Sequence, residues 1–193
     1  MLSIIEMKQL LKSSLPEKRY KHSVNVYKTS LKLAAVHGLS AEKISVAALL
    51  HDCGREIPSR ESVAKALALG IAVDEVECNQ PILLHAKLGV YYAREKYGVD
   101  DAEILEAILL HTTGAAGMTL TAKVVFLADM LEPDRDFPGI GELRNLAQKD
   151  LDRAMLMAYS NTMRYLLDES LLIHPNCIAG YNELMLAKKK KKD

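Results

Sequence analysis

The chain has 193 residues, 49% of them hydrophobic, enough to bury a substantial core at a size where one domain is the natural expectation. Its 25 Lys and Arg balance 25 Asp and Glu, which excludes a global positive field steering it to nucleic acid or an anionic membrane. No apolar stretch is long enough to span a bilayer, and MLSIIEMKQLLKSSLPEKRY lacks the regions of an export signal, so a soluble protein is expected.

Apolar residues recur three and four apart, broken by short Gly, Pro or polar stretches and never alternating, which predicts an all-α, single-domain helical bundle. The first helix is expected over 2–13 and the second over 18–37, where His22 is followed four residues on by Val26 and so lies on a core-facing stripe. His37 and Gly38 end that helix, and His37 reads as a structural contact to the last carbonyls. The third helix, over 40–52, starts at Ser40, a simple N-cap without the Glu of a capping box. It ends in VAALLHDCG, where an apolar helix delivers adjacent His51 and Asp52 and breaks at Gly54. A cation at the negative end of the helix dipole would satisfy both side chains; capping the last turn or facing solvent is the bland alternative.

Further helices are expected over 59–69, 82–97, 100–111, 121–132, 140–150, 152–172 and 176–190, with irregular segments at about 71–81, 112–120 and 133–139. Gly70 and Gly98 close two of these helices. His85 and His111 each have apolar neighbours at helical offsets. Asp129 interrupts KVVFLADMLEP, a helix apolar on nearly every face and stopped by Pro133. A buried carboxylate needs a metal or an Arg beside it. Four inward histidines together with Asp52 and Asp129 are hard to satisfy in one small domain without convergence on a metal. His174, before Pro175, reads as a turn residue, with a place at the substrate's edge left open.

Cys53, Cys78 and Cys177 have no metal-type spacing and cannot all pair, which suits reduced thiols and a cytoplasmic location. Lys188 to Lys192 form a terminal run; without residues 188–193, five lysines and one aspartate are lost, leaving 20 basic against 24 acidic residues. The body is mildly acidic, and the run reads as a solvated tail on a domain spanning 1–187.

The ordered set His22, His51-Asp52, His85, His111 and Asp129 resembles the signature of HD-domain phosphohydrolases. RYKHSVNVYKTSLKLAAVHGL, AALLHDCGREIP, LLHAKLGVYYAREKYG, AILLHTTGAAGMTLTAKVVFLADMLEPDRDFPGI and HPNCIAGYNEL are similar to the bacterial YqeK-like group, understood as symmetrical diadenosine tetraphosphate hydrolases. The resemblance implies an HD-type bundle and cleavage to two ADP. It implies one metal, usually iron in this group, held by His22, His51, Asp52 and Asp129, with His85 and His111 binding a second ion or the phosphate chain. Manganese, zinc and cobalt suit the same nitrogen and oxygen donors.

In that reading hydroxide generated at the metal attacks phosphorus, with Asp52 orienting the water and His85 or His111 protonating the departing ADP. His85, His111, Thr112 and Arg135 are the expected substrate contacts, against the alternative that Thr112 is a loop hydroxyl and Arg135 a surface residue. The expected partner is a dinucleoside polyphosphate or another nucleotide, with a homodimer left open. The competing readings are an HD hydrolase of a nucleoside monophosphate, deoxynucleoside triphosphate or guanosine alarmone, and a non-catalytic nucleotide-binding module.

Overall fold

The computed structural model describes residues 1–190, and among these there are helices and no strands. The α-helices are α1 (Ile4–Ser14), α2 (Glu17–Val36), α3 (Ala41–Leu50), α4 (Ser59–Ala68), α5 (Glu75–Asn79), α6 (His85–Tyr97), α7 (Ala102–Leu110), α8 (Leu120–Leu131), α9 (Ile140–Ala147), α10 (Leu151–Asp168) and α11 (Pro175–Lys190). Short 3-10 turns occupy Cys53–Glu56 and Pro81–Leu84. The lysine run begins as the last turn of α11 at Lys188–Lys190, and the rest of the 188–193 tail lies outside the described residues.

The middle of the molecule is α3. Ile44, Val46, Ala47, Ala48, Leu49 and Leu50 are all buried, because a helix apolar on every side is covered by neighbours on every side. Those neighbours are α2, α7, α8 and, at one edge, α1. The second all-apolar helix, α8, buries Ala122, Val124, Val125, Phe126, Leu127 and Ala128 against α2, α3 and α7. Amphipathic α9 and α10 close the far side of α8, and α11 packs on α10. Each fully buried Leu contributes about 1.5–3 kcal/mol by leaving water, so the framework carrying the site is the most heavily buried part of the chain.

Local signals place the ends of these helices. The Ser40 hydroxyl accepts from the Glu42 amide at 3.3 Å, and Asp101 accepts from Glu103 and Ile104 at the start of α7. Gly38, Gly70 and Gly98 all take positive φ after a helix, as expected of C-terminal glycines. Pro133 follows the end of α8 as expected. The irregular segment expected over 71–81 contains α5, started by a capping box in which Asp74 and Glu77 exchange hydrogen bonds. At five residues α5 is too short to leave a periodic trace. Three helices end sooner than expected by two residues or more: α3 at Leu50, leaving His51 and Asp52 in the turn beyond it, α9 at Ala147 and α10 at Asp168.

Gly54 is needed for proximity and not for an unusual φ. A Cβ there would sit 2.1 Å from the His85 carbonyl oxygen and 2.6 Å from the Gly89 nitrogen. The turn after α3 therefore lies against the backbone of α6, bringing His85 beside Asp52.

Candidate metal centre

Three of the four inward histidines use one local device. His51 and His111 directly follow α3 and α7, and His85 directly follows the Pro81–Leu84 turn. In each, Nδ1–H donates to the carbonyl three residues back: Ala48 at 2.8 Å for His51, Ile108 at 2.7 Å for His111, and Ile82 for His85. The bond satisfies a carbonyl left open at the end of a helical turn and fixes the tautomer, aiming an unprotonated Nε2 inward. His22, inside α2, reaches the same state through Glu132, whose Oε1 accepts from Nδ1 at 3.2 Å.

The rings form a row, His22–His51–His111–His85, with centroids 5.3, 4.9 and 4.8 Å apart. Facing Nε2 atoms approach to 3.3 Å between His22 and His51, and to 2.9 Å between His85 and His111. Asp52 lies alongside: Oδ2 is 3.9 Å from Nε2 of both His22 and His51, and Oδ1 is 3.2 Å from His85 and 3.8 Å from His111. Asp129 closes the His22 end at 3.0 Å. Donor atoms of His22, His51 and Asp129 lie within 4.8 Å of one another, as do those of His51, Asp52 and His111.

This donor set fits a cation. With every Nδ1 proton committed outward, the neutral Nε2 atoms and the carboxylate oxygens they face are all acceptors, and acceptors at 2.9–3.3 Å repel unless something positive lies between them. Sulfur takes no part, since the buried Cys53 thiol points to the Gly89 carbonyl at 3.3 Å and burial raises its pKa.

The electrostatics favour the protonation states a metal requires at His51, His111, Asp52 and Asp129, and oppose the neutral form at His22. Burial lowers His51, and it pushes His111 down to about 3, helped by the neighbouring imidazoles. Burial alone would raise Asp52, but His51, His85 and Arg55 hold it well below the usual carboxylate range. Asp129 is likewise depressed, its burial outweighed by His22, His51 and Arg135. His22 is raised, because Asp129, Asp52 and Glu132 overcome its desolvation.

Guanidinium groups surround the acidic side chains. Arg55 Nε donates to Asp52 Oδ1 at 2.8 Å, and Arg19 lies 3.3 Å from Asp52 Oδ2. Arg135 Nη2 donates to Asp129 Oδ1 at 2.6 Å, and its Nε to the Asp129 carbonyl. Of the two partners that its sequence setting allowed, a metal or an Arg, Asp129 has the Arg, beside the histidine cluster. Glu132, Arg19, Arg55, Asn25 and Arg144 were not among the residues expected at the site. Arg144 caps the end of α8 through the Leu131 and Glu132 carbonyls. The first three carried a signal, each lying three residues from a predicted ligand (His22, Asp52 and Asp129) on a helix or turn where such spacing shares a face.

Two cavities bear on the expected substrate contacts. Thr112 lines a small one, about 230 Å³, with Thr113, Lys87, His174 and Asn176. Arg135 lines a larger one, about 730 Å³, with Met130, Phe137, Asn161, Arg164 and Tyr165. His37 is structural, but its Nε2 meets the carbonyl of Ala147 in α9 at 2.7 Å, not its own helix end. His174 pairs with the α5 cap residue Asp74 at 3.0 Å. Asp74, Glu77 and His174 make a further acidic group, engaged in that cap and in the Lys87–Glu77 ion pair.

The chain belongs to the HD domain family, which matches residues 19–134 and so contains all six cluster residues. Its similarity to two proteins named symmetrical bis(5'-nucleosyl)-tetraphosphatase extends beyond that segment. One, from Halalkalibacterium halodurans, is 36% identical over 181 residues, covering 94% of this chain and 96% of that protein. The other, from Bacillus subtilis, is 37% identical over 91% of this chain and 94% of that protein. A crystal structure from Clostridium acetobutylicum, described as an HD superfamily hydrolase involved in NAD metabolism, superposes with a TM-score of 0.92 at 35% identity, covering 97% of this chain and 99% of that one. The family and the His/Asp cluster together indicate a divalent metal.

Proposed function

We propose that this protein is a metal-dependent phosphohydrolase that splits diadenosine tetraphosphate symmetrically into two ADP. The observation that carries the reading is the inward row of four Nε2 atoms with Asp52 alongside, in a chain resembling symmetrical tetraphosphatases over nearly its whole length. His22, His51, Asp52 and Asp129 would hold the metal. When bound, it supplies a water of lowered pKa and polarises a phosphoryl oxygen.

The chain's own groups do the rest. Asp52 presents oxygens to both halves of the histidine row, so it can accept a hydrogen bond from the attacking water and orient it. Arg19, Arg55 and Arg135 offer donors where negative charge grows on the phosphate oxygens. Protonation of the departing ADP oxygen falls to His85 or His111, whose Nε2 atoms lie 2.9 Å apart, where a second ion does not occupy them. Thr112 and Arg135 line separate cavities, which suits a substrate reaching away from the cluster in two directions.

Iron is the ion of this reading, following the resemblance, and elemental analysis separates it from manganese, zinc or cobalt. A cytoplasmic location belongs to it as well, supported by three free thiols and by the lack, among the described residues, of any helix long and apolar enough to cross a membrane. We assign the hydrolase to residues 1–187 and treat 188–193 as an appended basic tail. The test is product chromatography after incubating metal-loaded protein with diadenosine tetraphosphate. ADP alone is expected; ATP plus AMP, or no turnover, rejects symmetrical cleavage.

A further inference from the structure

Arg144 stands on α9, a helix whose Ile140, Leu143 and Ala147 are buried and which packs on α8 and α10. An arginine is usually matched to a carboxylate or a phosphate. The half-buried Arg144 makes no ion pair among the described residues, and all its hydrogen bonds go to main-chain carbonyls. Nε donates to Leu131 at 3.1 Å, and Nη2 divides its two protons between Glu132 at 3.0 Å and Arg135 at 3.1 Å.

Those carbonyls belong to the last residue of α8 and to the two ends of the turn that follows it, Glu132-Pro133-Asp134-Arg135. The turn has little of its own to hold it. Pro133 has no N–H to give, and the internal bonds run from the Arg135 amide to the Glu132 carbonyl at 3.0 Å and from the Asp134 amide to Glu132 Oε2 at 2.9 Å. Carbonyls at a helix end need donors from outside the helix, and the guanidinium supplies them to both ends of the turn at once. Each end carries a side chain of the metal centre. At the first, Glu132 Oε1 accepts from His22 Nδ1 at 3.2 Å; at the last, Arg135 Nη2 donates to Asp129 Oδ1 at 2.6 Å. A turn that opened would withdraw both together.

We propose that Arg144 is a positioning residue: by clamping the turn 132–135 it sets the reach of Glu132 to His22, and of Arg135 to Asp129 and the phosphate chain. The part played toward phosphate rests on the hydrolase reading above, whereas the part played toward the ion rests on the geometry of the cluster. The role calls for a guanidinium. Its planar fork sends donors in fixed directions to three carbonyls, while the ammonium of a lysine is a compact charge on a flexible stem.

The test sets wild type beside Arg144→Ala and Arg144→Lys in three measurements: manganese(II) affinity by competition with a chelator, pyrophosphate affinity of the metal-loaded protein by calorimetry, and the thermal midpoint of the metal-free protein. Arg144→Ala is expected to weaken manganese binding about tenfold, the lower end for partners that orient a ligand, and pyrophosphate binding severalfold. Arg144→Lys keeps the charge and most of the stem, so the fold is retained, as circular dichroism verifies. It is expected to lose more than twofold in both affinities, because one ammonium cannot serve three carbonyls. In a Glu132→Gln background Arg144→Lys should cost little further manganese affinity, since both changes act through His22. A lowered midpoint with both affinities within twofold of wild type would make Arg144 a scaffold residue and overturn the proposal. So would full affinities in Arg144→Lys, loss of one affinity without the other, or fully additive losses with Glu132→Gln. Wild-type protein that depends on Arg144 in this way yet leaves diadenosine tetraphosphate intact would sink the assigned reaction and leave the clamp standing.

Discussion

Glu132→Gln isolates what one carboxylate does for the cluster. The Glu132 side chain is 3% exposed, and both oxygens are engaged. Oε1 accepts from His22 Nδ1 at 3.2 Å; Oε2 accepts from Asn25 Nδ2 at 3.0 Å and from the Asp134 amide at 2.9 Å. Glutamine has nearly the same shape but only one acceptor oxygen. If that oxygen stays with the two donors at Oε2, the amide nitrogen faces His22 Nδ1–H, and two donors oppose each other. The imidazole relieves the conflict by moving its proton to Nε2, the atom that would bind the metal. If the amide turns the other way, Asn25 and the Asp134 N–H meet a donor instead. Either way the ligand form of His22 is disfavoured, and partners of this kind typically account for about 10–100-fold in metal affinity, or about 1.4–2.7 kcal/mol. Competition with a chromogenic chelator measures it, with circular dichroism as the check on folding. A metal affinity within twofold of wild type would refute the claim that Glu132 sets the His22 tautomer.

Asp52→Ala removes the one side chain shared by both halves of the row, so metal content and turnover should vanish together while the helical spectrum persists; retained metal and full activity would show the ligand assignment to be wrong. Gly54→Ala forces a methyl group into the His85 carbonyl and the Gly89 amide, so the cost should reach or exceed the roughly 1–3 kcal/mol of ordinary overpacking. A thermal midpoint lowered by about 2–4 °C per kcal/mol is expected, and an unchanged midpoint would contradict the close approach. The metal-free protein should lose stability on acidification. His51 and His111 stay neutral when folded, whereas the unfolded chain takes up protons below about 6.5. Asp52 and Asp129, depressed in the fold, add stability that is present above about 3.9 and lost as pH falls through their folded values. His22 works in the opposite sense, its contribution fading as pH rises through its raised value. Calorimetry with chelator between pH 7 and 4 should show a falling midpoint, and a rising one would reverse the sign argued here.

Much of this arrangement could be read from the sequence because the placement of the clustered histidines is a property of helix ends. Two apolar helices, VAALL and AILL, each deliver a histidine at the first residue past the last turn, and apolar periodicity locates such ends well. Asp129 was legible for a related reason: a charge in an otherwise apolar helix demands a partner. Glu132, Arg19 and Arg55 were harder, because a charged residue near a loop is usually solvated and only the position of the neighbouring ligand gives it meaning. The cavity beside α10 was not legible at all. Asn161 and Tyr165 sit on an ordinary amphipathic helix, and what distinguishes them is the space left by the 133–139 segment, which no periodicity encodes. Gly54 was legible only as a break; that it yields to the backbone of α6 depends on a contact 31 residues away, from Gly54 to His85.

The layout of charge connects the ion to substrate binding as well as to chemistry. Asp52, Asp129 and Glu132 bring three carboxylates to the cluster, and Arg19, Arg55 and Arg135 bring three guanidiniums within 4.0 Å of them. Three against three, the fixed charges cancel before any ion is present, in a chain whose formal net charge is also zero. The protein without metal therefore offers a polyphosphate little long-range attraction. A divalent ion changes this locally, since its two positive charges have no remaining carboxylate to neutralise them and sit where water is largely excluded. A polyphosphate is the complement of that excess. The arginines also lower the pKa of the carboxylates they pair with, so Asp52 and Asp129 remain ionised and available to a metal. Recognition of the phosphate chain should accordingly depend on ion occupancy, with the arginines fixing the orientation of a substrate that the ion attracts.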